Sequence, residues 1–174
     1  MRVEMDCLIL AAVVGAIGCA DVTPPELQTP SDRLGVWTPD PSATILRTTL
    51  SNLDNPTLAL VSSSTAWDAL WAQTWGGTQA SPPLPAIDFV LSSVVVVGLG
   101  KRAGPGYSVS IDSIVIHIAG AVLYATELGP GAHCDASSGS SAPVHMVHAP
   151  GHPPISNWRI GTVRRDCGSA TPPG

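Results

Sequence analysis

Charge is scarce in this chain. Of 174 residues, 8 are Lys or Arg and 13 are Asp or Glu, and the basic ones gather no further than the pairs Lys101-Arg102 and Arg164-Arg165. A nucleic-acid surface needs a clustered basic face to neutralise phosphates, so that class of partner is excluded. No C-x-x-C pair occurs among the cysteines, which removes the usual zinc spacing. There is no G-x-S-x-G elbow, no H-E-x-x-H helix, and no serine whose setting marks it as activated. Triads are assembled from residues distant in sequence, so these absences only place an enzyme last among the readings. Beyond the N-terminus, no apolar run approaches the roughly 20 residues a membrane-spanning helix needs.

The N-terminus has a run of its own. Residues 7–17 carry no charge and one glycine, too short to span a bilayer but suited to the core of a signal peptide. The run ends at Ala16-Ile17-Gly18-Cys19, small residues followed by a cysteine, which resembles a lipobox. Residues 1–18 are therefore expected to be a lipoprotein signal peptide and Cys19 the lipid-bearing residue. An ordinary secretory signal is the alternative. Either way the chain is expected to be exported, and membrane contact would rest on the lipid alone.

Residues 20–41 hold Pro24, Pro25, Pro30, Pro39 and Pro41 among polar neighbours, a composition that sustains neither helix nor sheet ladder. Residues 19–43 thus read as the lipidated cysteine and a tether, 44–167 as one β-rich domain, and 168–174 as a disordered tail. Loss of the signal would remove Cys7, and lipidation would consume Cys19. Cys134 and Cys167 then remain; in an oxidising compartment they would pair and stabilise the fold by about 3–4 kcal/mol, the alternative being two free thiols.

Within the domain, residues 44–50 and 57–61 are β-compatible and separated by turn chemistry at 52–56, which predicts a first hairpin. Thr65-Ala66-Trp67-Asp68 has the form of a helix cap. Trp67, Leu70, Trp71 and Trp75 then fall on one helical stripe that Gly76-Gly77 ends. With one phenylalanine in the chain, that stripe reads as a core anchor rather than a ligand platform. An extended connector at 82–85 leads to residues 92–97, too apolar for anything but a central strand. Tyr107, Val109 and Ile111 alternate with polar residues; the alternation slips at Ser113, which predicts a β-bulge, and Ala119-Gly120 reads as a tight turn into residues 121–127. Residues 144–149 and 158–165 would add final edge strands. The fold class expected is α+β, mostly β: an antiparallel-sheet meander with one amphipathic helix packed on it.

Three features could carry chemistry. The valine strand followed by Gly98-Leu99-Gly100 has the look of a dinucleotide loop, yet Pro105-Gly106 leads on into a strand, so a glycine-rich hairpin turn is the better reading and no cofactor is expected. His145, His148 and His152, with His133 beside Cys134, are the only cluster of potential metal ligands; residues three apart on a strand face opposite ways, so exposed or edge-strand histidines are the stronger expectation. Asp88 is expected to cap a turn.

The order of these elements resembles the PrcB family of small domains, named after a lipoprotein subunit of a bacterial protease complex. The resemblance covers about residues 60–150 and is carried by Trp67-x-x-Leu70-Trp71, Ile87-Asp88-Phe89 and Gly106-Tyr107-Ser108-Val109. Pro105 stands where the family's turn has its middle glycine. The resemblance implies a non-enzymatic accessory role: a lipid-anchored cell-envelope protein that binds another envelope protein, an exported protease in the family's case. The contact surface expected is the turn over Lys101, Arg102, Gly104, Gly106 and Tyr107. The rival readings are a small-ligand or metal-binding module built on the histidines, and a protease inhibitor.

Overall fold

The computed structural model describes residues 33–76, 81–132, 134 and 138–167. Cys19, the signal segment, most of the tether, His133 and the tail lie outside the described residues. Two four-stranded sheets carry the fold. Sheet one has the order β1 (Arg33–Trp37), β6 (Ser108–His117), β7 (Gly120–Pro130), β10 (Ile155–Arg165). Sheet two has the order β2 (Thr44–Thr48), β9 (Val144–Pro150), β4 (Ser92–Gly98), β3 (Thr57–Val61). A two-stranded ribbon, β5 (Arg102–Ala103) with β8 (Ser140–Ser141), bridges their ends, and α1 (Ser64–Trp75) is the α-helix of the described residues. The chain is mostly β with one helix packed on a sheet, as the sequence predicts.

The period-2 geometry of β4 explains the layering. All seven of its residues are buried. Val95 and Val97 join Val109, Ile111, Ile114, Leu123 and Val147 in a core between the two sheets. Val94 and Val96 turn the other way and join Trp67, Leu70, Trp71, Val144 and Met146 beneath the helix. A strand wet on neither face is the expected place for an unbroken valine run.

The helix is capped at Ser63, whose hydroxyl accepts from the Ala66 amide, so the cap lies two residues before the Thr65 arrangement the sequence predicts. Its tryptophans anchor the core and also hold the proline connector. The Trp67 indole donates to the Pro85 carbonyl at 3.0 Å and that of Trp71 to Pro82 at 3.1 Å. Asp88 accepts from the Val90 amide at 2.9 Å, the expected turn cap. The predicted bulge is present, with β6 slipping register against β7 between Ile111 and Ser113.

Several pairings differ from the sequence reading. β2 and β3 form no hairpin: β2 pairs with β9 and β3 with β4, so they sit at opposite edges of sheet two. Residues 98–104 are not a hairpin turn either; they carry the chain from sheet two through β5 to sheet one. β9 is not an edge strand but is clasped between β2 and β4. β10 is an edge, yet it runs parallel to β7, so the sheets are not a simple meander. The predicted tether is also shorter than expected, because Arg33–Trp37 pairs with β6 as β1. Pro30 and Pro39 flank that strand without entering it, which local proline density cannot reveal.

Candidate functional site

At the end of sheet one where β6 begins and β7 ends, the chain leaves a cleft of about 580 Å³. It is lined by the loop Gly104-Pro105-Gly106-Tyr107, by Pro130-Gly131 and by Cys134 and Cys167. The two cysteines form a disulfide. Gly104 and Gly106 have φ of 92° and 89°, a conformation that side-chain-bearing residues rarely adopt, so glycine brackets the fixed φ of Pro105. The loop is held rather than free. The Gly104 amide donates to Gly139 at 3.0 Å, and the Ser141 hydroxyl donates to the Gly104 carbonyl at 2.9 Å.

Tyr107 stands where the cleft meets β10. The Arg164 guanidinium lies 5.9 Å from its ring centroid, in range of a cation–π contact. Gly129 makes this approach possible, because a Cβ there would meet the Arg164 guanidinium and come within 3.0 Å of the Tyr107 ring. The strand end is fixed from the other side by the Gly131 amide, which donates to the Arg165 carbonyl at 2.8 Å.

The turn predicted as a contact surface is therefore divided. Gly104, Gly106 and Tyr107 come together in the cleft. Arg102 is engaged elsewhere: its Nε and Nη2 donate to the Glu127 carboxylate at 3.3 and 3.2 Å. Glu127 is buried in β7, and pairing is what makes a buried carboxylate tolerable. Lys101 lines a second, smaller cleft of about 220 Å³ with Asn52, Asp54, Trp75 and Ser140. The disulfide is the one expected from sequence, Cys134 with Cys167, whereas Arg164 and Gly129 were not among the residues singled out as a site. The signal that could have found them is the disulfide, since pairing Cys134 with Cys167 draws the end of β10 to the end of β7.

The histidines are not brought together. His145 is 4% exposed and lies between the sheets: its Nδ1 accepts from the Ile111 amide of sheet one at 2.8 Å, and its Nε2 lies 3.2 Å from the Thr44 hydroxyl of sheet two. This corrects the expectation of an exposed or edge position. Its cause is the interior place of β9. A ring whose Nδ1 accepts must carry its proton on Nε2, and burial, with a smaller contribution from the Arg47 charge, pushes the His145 pKa down to about 4. His148 is exposed and of opposite parity on β9, and His152 is exposed in the loop beyond. Among the described residues, no three His, Cys, Asp or Glu side chains are placed to hold a metal.

Comparison with known proteins finds no matching family model, no similar curated protein and no similar solved structure.

Proposed function

We propose that this chain is a lipid-anchored cell-envelope protein, non-enzymatic, whose task is to bind another exported protein, an exported protease among the partners its PrcB-like motifs imply. The observation that carries the reading is the cleft. A bare glycine-proline loop, an aromatic ring and a disulfide line one partly apolar cleft. Ordering of a loop before contact lowers the entropic cost of association, and the hydrogen bonds of Gly104 and the cation–π contact of Arg164 with Tyr107 act in that sense here. Aromatic rings at such a position act as anchors that the partner's surface packs around. The lipobox-like Ala16-Ile17-Gly18-Cys19 supports export and anchoring, and the disulfide agrees with an oxidising compartment.

Tyr107→Ala tests the reading. It is expected to weaken partner capture about tenfold or more, in line with a hot-spot aromatic, while circular dichroism and the unfolding midpoint stay near those of the native chain. Loss of secondary structure together with binding would make Tyr107 a packing residue and remove the basis for the cleft as the contact.

A further inference from the structure

β10 is an unusually open strand edge. It is 11 residues long, against 5 for each of the other edge strands β1, β2 and β3, and its one neighbour is β7. Apart from Ile155 and Trp158, all of its residues are exposed. An edge strand presents a row of unpaired N–H and C=O groups, which proteins usually blunt by brevity, proline, a bulge, a cover or charged side chains; of these β10 carries charge, in Arg159, Arg164 and Arg165. Here the single irregularity lies at the start, between Ile155 and Asn157; residues 157–165 then run in unbroken register with β7 and contain no proline.

The side chains say what the edge fits. β10 carries Arg159, Arg164 and Arg165 and no acid, in a chain of net charge −5. Among the described residues the one ion pair is Arg102 with Glu127, so these three guanidiniums face no described carboxylate as an ion pair. Between them Ile160 and Val163 stand 38% and 51% exposed. Strand alternation places Arg159, Val163 and Arg165 on one face, with Ile160 and Arg164 on the other.

A second copy of the chain is a poor occupant. Full-length antiparallel self-pairing, centred on Ile160, sets Arg165, Arg164 and Arg159 opposite Ile155, Ser156 and Gly161, and because β10 carries no acid it offers none of these guanidiniums a carboxylate. The chain's own N-terminal residues reach the fold at Arg33, on β1, with β6 and β7 between that edge and β10. Residues 168–174 have no acidic side chain.

We propose that β10 accepts an extended, acidic segment of a partner protein as an added strand, whose main-chain hydrogen bonds supply affinity and whose carboxylates meet the three arginines. The inference deepens the protein-binding reading and rests on it. Because Arg164 lies over the Tyr107 ring and the disulfide ties the end of β10 to the cleft, an added strand would run along the edge toward the cleft.

The probe is a fluorescent peptide of about ten residues alternating Val and Glu, titrated into the full chain and followed by anisotropy and amide hydrogen exchange. Two further peptides are N-methylated on one or the other alternate set of residues. The expected result is binding with slowed exchange at residues 155–165. It should be weakened about tenfold by Arg159→Glu with Arg165→Glu, lost for one N-methylated peptide but not the other, and little changed by Tyr107→Ala. Equal binding of both N-methylated peptides, equal binding of a Val-Lys peptide, or no binding at millimolar peptide overturns the strand-addition idea. Binding that Tyr107→Ala abolishes and the arginine pair leaves intact does so too, and assigns the peptide to the cleft. Capture of a protein partner that survives Tyr107→Ala, with the peptide still held at β10, removes the cleft reading alone.

Discussion

His145 shows how one side chain can set a pH limit on the fold. Its two ring nitrogens are both engaged between the sheets, and protonating Nδ1 would turn an N–H toward the Ile111 N–H. The neutral form is therefore held in the native state, with the pKa lowered from 6.5 to about 4. The unfolded chain binds this proton first, so the stability is fully present above about pH 6.5 and is lost as pH falls toward 4. The loss amounts to roughly 3 kcal/mol if the whole shift is realised. Urea unfolding at intervals from pH 7.5 to 4.5 should show that decline. His145→Gln should be less stable at pH 7 and flatter through the same window; a variant that declines as steeply as the native chain would assign the effect to other groups. This residue was not legible from sequence. Its neighbours Val144 and Met146 announce a buried strand, but whether a histidine between them faces water depends on β9 lying between β2 and β4, pairings made with Arg47 and Val97, about a hundred and about fifty positions away. Arg102 is a similar case, because its partner Glu127 lies on another strand.

At the scale of elements, periodicity located most of the structure and partner choice defeated it. The tryptophan stripe of α1 is readable because every contact that matters lies within one helical face. The indoles of Trp67 and Trp71 sit 5.1 Å apart, and Trp67 is 1% exposed. Trp67→Ala is expected to cost about 3–5 kcal/mol, through the cavity left under the helix and the freed Pro85 carbonyl, as measured by denaturant unfolding. A cost below about 1 kcal/mol would mean that the helix is not docked on Val94 and Val96. The all-buried β4 and the bulge in β6 were legible for the same reason, that each follows from the pattern of its own strand. The supposed β2–β3 hairpin failed because a turn-like stretch at 52–56 says that the chain bends, not which strand lies on the far side. Proline density hid β1, a strand of five residues between two prolines.

For the molecule as a whole, the disulfide ties together the segments that follow β7 and β10, beyond the residues those strands give to the core between the sheets. Cys134 and Cys167 are 33 residues apart, and closing that loop restricts the unfolded chain by about 3–4 kcal/mol. Replacing both with serine should lower stability by that order and loosen the cleft, reducing partner binding more than it disturbs the two cores; hydrogen exchange should rise at residues 104–107 and 160–167 ahead of β4. An unchanged exchange pattern with lost binding would place the contact elsewhere. The pairing itself followed from counting cysteines, while the cleft it lines required the parallel placement of β10, which no local signal carries. The central claim is that the chain binds an exported protein through the Tyr107 cleft. Mass spectrometry of proteins co-purifying with the tagged chain from detergent-solubilised membranes, with Tyr107→Ala and Cys19→Ala alongside, tests it most directly. The expected result is one exported protein, a protease on the family resemblance, recovered in stoichiometric amount with the native chain and lost with Tyr107→Ala, and a Cys19→Ala chain that leaves the membrane fraction. Recovery of the chain alone, or of the same partner with Tyr107→Ala, would contradict it.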